Sequence, residues 1–243
     1  MLYKEVRLNS LESIYQGHTV LPHIKREYLE LLRESGKYAL YKLEIDGKEY
    51  YVLTYGDNVE TISDSPGQAI AFADVEDLGL SYNLLLEQLH LLPVQRLLAW
   101  LEEDRERLYD RLRLAEHFGP GALPQDEAVV VEGQRSNKIV EGMPIQEPCC
   151  LREVAKTRRF THYVGSDGKR ELHVIVKNGK WVDAIAYFLD DLFRKAFRAN
   201  LVESYRALLM NLPSMNLDAL YGQLHKDYEI YNELLVVVSP SSQ

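Results

Sequence analysis

The chain has 243 residues and a formal net charge of −9, with 46% hydrophobic and 27% charged side chains. That length can bury a real core and fits one large domain or two small ones. The composition is too apolar for disorder, no apolar run is long enough to span a membrane, and the acidic balance argues against wholesale binding to nucleic acid.

The N-terminal stretch MLYKEVRLNSLES lacks the apolar core of a signal peptide, so the expected location is cytoplasmic. Cys149 and Cys150 are neighbours, which bridge each other only with strain, and no spaced Cys/His set of the zinc-finger kind accompanies them. Charge is uneven along the chain. The acidic excess lies in residues 1–130, whereas residues 152–198 are rich in Lys and Arg.

In chain order, LPHIKREYLELLRES carries Ile24, Tyr28, Leu31 and Leu32 at helical spacing, with Gly36 as a stop. YALYKLEIDGKEYYVLTYGD gives two β-rich runs around Asp46-Gly47, a strong hairpin signal. AIAFAD, residues 69–74, reads as a third strand after the turn-rich SDSPGQ. From Ser81 the pattern becomes helical, breaks at Pro93, and resumes in a second helix. There Val94, Leu97, Leu98, Leu101, Leu108, Leu112 and Ala115 form an apolar stripe.

GPGALPQDEA then breaks the chain. The expected organisation is an acidic half over 1–117, a linker over 118–127 and a less acidic half over 128–243. AVVVEG reads as a short strand, residues 161–181 as a hairpin, about 181–210 as a long helix, and the stretch after Pro213 as a further helix. Leu234 to Val238 reads as a final strand. The fold class is α+β, with small antiparallel sheets packed against long amphipathic helices.

LRESGKYALYKLEIDGKEYYVL and LREVAKTRRFTHYVGSDGKRELHVI share a Leu-Arg-Glu start and an Asp-Gly-Lys hairpin, each followed by a long helix. An internal duplication would give two related halves. Asp-Gly-Lys is a common turn, and the spacings differ by two residues.

The hairpin holds the sharpest chemical question. With a two- or four-residue loop, His162, Glu171 and His173 share one face, because strand side chains alternate. Two histidines and a carboxylate match the ligand count of a catalytic zinc or non-haem iron site. Lys169 and Lys177 would flank the ion, and Leu172, Val174 and Val176 mark the other face as the buried one. The plainer reading is a solvated cross-strand pair.

Two other acid patterns are weaker. Glu132 with Gln134 at the end of a strand resembles a magnesium-nuclease spacing but lacks its upstream Asp. Asp183, Asp190 and Asp191, read on one helix, are explained by ion pairs with Arg194 and Lys195. No phosphate loop, dinucleotide fingerprint, nucleophile elbow or HExxH helix is present, so no cofactor is expected and the balance leans against an enzyme.

The partner candidates are the basic cluster Arg152, Lys156, Arg158, Arg159, Lys169 and Arg170, and the tyrosines Tyr221, Tyr228 and Tyr231 at helical spacing. The cluster suits phosphates or an acidic protein surface, and tyrosine is enriched at interfaces. The leading expectation is a non-catalytic intracellular binding or regulatory protein with a protein partner or self-association and no membrane. A nucleic-acid-binding component using 152–180 is the alternative, and a metal-dependent hydrolase or nuclease the third.

Overall fold

The structure is a computed structural model and describes residues 28–119, 121, 129–131, 137–145 and 150–239. Contacts divide the chain into two compact units, Met1–Asp77 with Glu102–Pro124 and Leu78–Leu101 with Gln125–Gln243. The expected linker over 118–127 lies largely outside the described residues.

The first unit contains a four-stranded antiparallel meander of β1 (Glu30–Ser35), β2 (Tyr38–Ile45), β3 (Lys48–Tyr55) and β4 (Asn58–Ser63). The Asp46-Gly47 turn behaves as expected: Ile45 pairs with Lys48, and both turn residues have positive φ, 51° and 76°. That is the backbone twist a two-residue hairpin needs. The helix expected around Ile24–Leu32 is corrected where it is described. Residues 30–35 form β1, because pairing with β2 satisfies their backbone, and Leu32 bulges out of the ladder.

Helix α1 (Pro66–Gln88) follows β4, and α2 (Val94–Phe118) follows α1. Residues 69–74, expected as a strand, lie inside α1. The start signal was present in SDSPGQ: the Ser65 hydroxyl accepts from the Gln68 N–H at 3.2 Å, and Pro66 occupies the first helical position. Tyr38, Leu40, Leu53, Ala69, Ile70, Ala73 and Leu114 make one core cluster of this unit.

The second unit holds a short ribbon of β5 (Val129–Val131) and β6 (Asn137–Ile139). It also holds a second four-stranded meander: β7 (Arg152–Lys156), β8 (Phe160–Ser166), β9 (Glu171–Lys177) and β10 (Trp181–Ala186). The long helix expected from Trp181 is corrected. Asn178 and Gly179 take positive φ, 52° and 64°, and turn the chain into β10.

Helix α3 (Leu189–Phe197) starts only afterwards and passes through a π-helical turn (Arg198–Val202) into α4 (Glu203–Asn211). A last helix, α5 (Leu217–Val238), is capped by the Asn216 side chain, which accepts from the Ala219 N–H at 2.8 Å. The strand expected over Leu234–Val238 is therefore helix. Its β-branched residues are held there by packing on β7 and β8, which outweighs a weak local preference. Among the described residues, no helix is long and apolar enough to cross a membrane.

Candidate functional site

In the hairpin, His162 pairs with Ile175, Val164 with His173, and Ser166 with Glu171. This is neither register considered from the sequence, yet its parity keeps the two histidines and Glu171 on one face. The expectation of a solvated face is corrected: His162 is 1% exposed and His173 9%. The side opposite Leu172, Val174 and Val176 is covered as well, since α5 packs on β8.

Hydrogen bonding assigns the protons. His162 Nδ1 lies 2.9 Å from the Val237 carbonyl oxygen, which can only accept, so Nδ1–H donates. His162 Nε2, 3.1 Å from His173 Nδ1, then accepts from it. In the neutral pair, His173 Nε2 is left bare, 3.5 Å from the exposed Glu171 carboxylate. Burial lowers the pKa of both imidazoles; the Val237 carbonyl and Glu171 oppose that for His162, and Glu171 does so for His173.

Both ring nitrogens of His162 are thus engaged, and a metal would have to displace a helix carbonyl and a neighbouring ring. Among the described residues, no group of three or more His, Cys, Asp or Glu side chains is arranged to hold a metal ion. Glu132 lies outside the described residues. Asp183 is not on a helix with Asp190. It is the bulged residue of β10, its carboxyl pushed up by burial, and it accepts from Asn200, which also receives Lys177.

The basic cluster divides. Arg159 donates from its backbone and guanidinium to Glu233 and lies 3.4 Å from Glu229, both on α5. Arg158, 70% exposed, sits 3.6 Å from Glu229. Arg170 stacks 3.6 Å over the Tyr187 ring, whose hydroxyl donates to Asp167. That bond and two backbone N–H groups hold the Asp167 pKa down to about 2. Arg152 and Lys156 point outward from the edge strand β7, and Lys169 is exposed in the hairpin loop. Cations on an edge strand discourage pairing with other strands.

The tyrosine stripe also divides. Tyr231, expected at a partner surface, is 4% exposed, edge-on to Phe193 and Phe197, and its pKa is pushed up to about 12 by burial and by Glu87. It is a core residue, which corrects that expectation. Tyr228 packs on Tyr231 and edge-on to His90 at 4.6 Å, while Tyr221 is half-buried.

Two buried polar networks were not anticipated. In the second unit, Asp227 is 2% exposed and accepts from Tyr82 at 2.6 Å, Ser204 at 2.7 Å and Gln223 at 3.0 Å. In the first, Arg111 is 1% exposed; its Nε donates to Asp74 at 2.9 Å and its Nη1 to Asp77 and the Tyr38 hydroxyl. Burial opposes its charge, but Tyr38, Asp74 and Asp77 together hold its pKa above the ordinary arginine value. Arg107 joins through Asp77 at 3.5 Å and lies over the Tyr55 ring. The signal lay in α2, where Asp104 and Arg111 interrupt the apolar stripe at positions that face the core.

Hydrophobic exposure is uneven too. On α1 and the turn after it, Leu80 is 64% exposed, Leu84 37% and Leu91 82%. Leu92 N–H still bonds the Gln88 carbonyl at 3.1 Å, so the winding continues and the three leucines stay on one stripe. No protein-family model matches the chain, and comparisons with curated proteins and with solved structures find no match either.

Proposed function

We propose that the protein is an intracellular, non-catalytic binding or regulatory protein that works through contacts with another protein. The observation that carries this reading is the exposed stripe of Leu80, Leu84 and Leu91. Grouped aliphatic side chains on the water face of a helix are favourable only when something covers them. The titratable groups at the histidine pair and around Asp227 are bonded to one another, which suits structural roles.

The test is native mass spectrometry of gently purified protein, prepared without chelators. A protein partner is expected on the parent chain and is lost from the Leu84→Glu, Leu91→Glu variant, with the 28.1 kDa chain otherwise intact. Added mass of one metal ion, or of a length of nucleic acid, would replace this reading with one of the other two classes.

A further inference from the structure

The order of four strands and then two helical segments occurs twice, and the correspondence holds residue by residue. Setting Leu40 against His162 reproduces the ladders of β1, β2 and β3 in β7, β8 and β9: Leu40–Leu53 becomes His162–Ile175, and Leu31–Tyr41 becomes Glu153–Tyr163. The bulge at Leu32 falls on Val154. One residue is added before the fourth strand, and the bulge at Glu60 then falls on Asp183.

From there on a single offset, the distance from Tyr82 to Tyr205, carries through both helical segments. It places Leu78 on Leu201, Ser81-Tyr82 on Ser204-Tyr205, Leu89 on Leu212, Leu101 on Leu224 and Asp104 on Asp227. It also superimposes burial. Asp104 and Asp227 are both buried, as are Leu108 and Tyr231, Arg111 and Leu234, and Leu114 and Val237.

Within the second unit, equivalent residues meet. The Tyr82 and Tyr205 rings stack with centroids 4.0 Å apart and 4° between planes. Contact between a residue and its own counterpart is the mark of a twofold pairing. Around it Tyr82 donates to Asp227, and His90 packs against Tyr228. Leu85, Leu86 and Leu89 are buried, as are Leu208, Leu209 and Leu212.

We propose that residues 30–115 and 152–238 are two copies of one four-strand, two-helix unit, and that the helical face bearing Ser81-Tyr82 and Ser204-Tyr205 is the surface by which such units pair. The partner this surface fits is another unit of the same kind, supplied here within one chain. The two copies have since diverged in what they bury and what they expose.

To test this, a protease site is placed within residues 122–128, and the folded, purified chain is cut there. The two pieces are expected to remain one 28.1 kDa particle at micromolar concentration. Tyr82→Phe or Asp227→Asn in the cut protein should weaken the pairing about tenfold, since each disturbs one hydrogen-bonded buried group. Circular dichroism of each uncut variant separates this loss from a failure to fold. Separation of the unmodified pieces at micromolar concentration overturns the pairing surface, as does undiminished pairing in both variants. A crystal structure in which 152–238 overlays 30–115 only at a different offset overturns the duplication.

Discussion

The two sheets solve one packing problem with different chemistry. Beneath the first, Arg111 on α2 reaches Asp74 and Asp77 on α1 and Tyr38 on β2. The positions that match these in the second segment of chain are Leu234, Phe197, Asn200 and Phe160, of which all but Asn200 are apolar and buried. Conversely, the second sheet buries His162 and His173 where the first has Leu40 and Tyr51. A buried polar group that its counterpart replaces with an apolar one is not demanded by the fold. Its presence adds specificity or a response to conditions, at a cost in desolvation.

The largest effect is expected at Arg111. Replacing it with leucine alone removes the buried cation that bonds Asp74 and Asp77 and should cost about 3–5 kcal/mol in urea unfolding. Adding Asp74→Phe and Asp77→Asn transplants the second sheet's solution, and most of that loss should return. If the triple variant stays as unstable as the single one, the two positions are not equivalent. Next comes Asp227→Ala, which leaves Tyr82, Ser204 and Gln223 without their shared acceptor. A loss of about 2–3 kcal/mol is expected from the same measurement, and a loss below that of a surface substitution would remove Asp227 from the core's accounting.

These contrasts explain what could be seen in the sequence. The Asp46-Gly47 hairpin and the stop at Pro93 were legible because turn chemistry and a missing N–H act locally. Residues 69–74 read as a strand only if Ser65 and Gln68 are turn residues, and their spacing is instead that of a helix cap. Asn178-Gly179 carries a hairpin signal as clear as that of Asp46-Gly47, and both of its residues have positive φ. The burial of His162 was beyond local reading, since α5, which covers it, joins the site from 75 residues away. Asp227 and Tyr82, 145 residues apart, likewise meet only in three dimensions. The shared Asp-Gly-Lys falls one residue out of step with the strand ladders, which set Asp46 against Gly168, so the proposed correspondence could be drawn only from the ladders themselves.

The histidine pair should show a smaller effect with a distinctive dependence on pH. His162→Leu installs the residue found at Leu40 and leaves the Val237 carbonyl without its donor, so about 1 kcal/mol is expected at pH 8. Because both imidazoles have lowered pKa values in the fold, the unfolded chain binds protons more readily. Stability of the parent is therefore full above the unfolded value near 6.5 and falls as pH drops from there toward the folded values. The variant should lose part of that slope. Denaturation curves that run parallel for parent and variant between pH 8 and 5 would remove the pair from the acid response.

The smallest effects belong to the arginines that bind α5, and they separate a tied cation from a free one. Arg159 is 24% exposed and bonds Glu233 through both backbone and guanidinium, whereas Arg158 is 70% exposed and only grazes the same carboxylates. Solvent screening leaves an exposed pair worth little. Arg159→Ala should therefore cost about 1 kcal/mol and Arg158→Ala less than about 0.5 kcal/mol. The backbone N–H of residue 159 still reaches Glu233 in the alanine variant, which keeps the first figure from growing. High salt should shrink both differences, the Arg158 one to nothing, since the Debye length falls to about 3 Å at 1 M. Equal losses at the two positions would mean that Arg158 is held as firmly as its neighbour, and the basic stretch would then have one cation fewer to offer a partner.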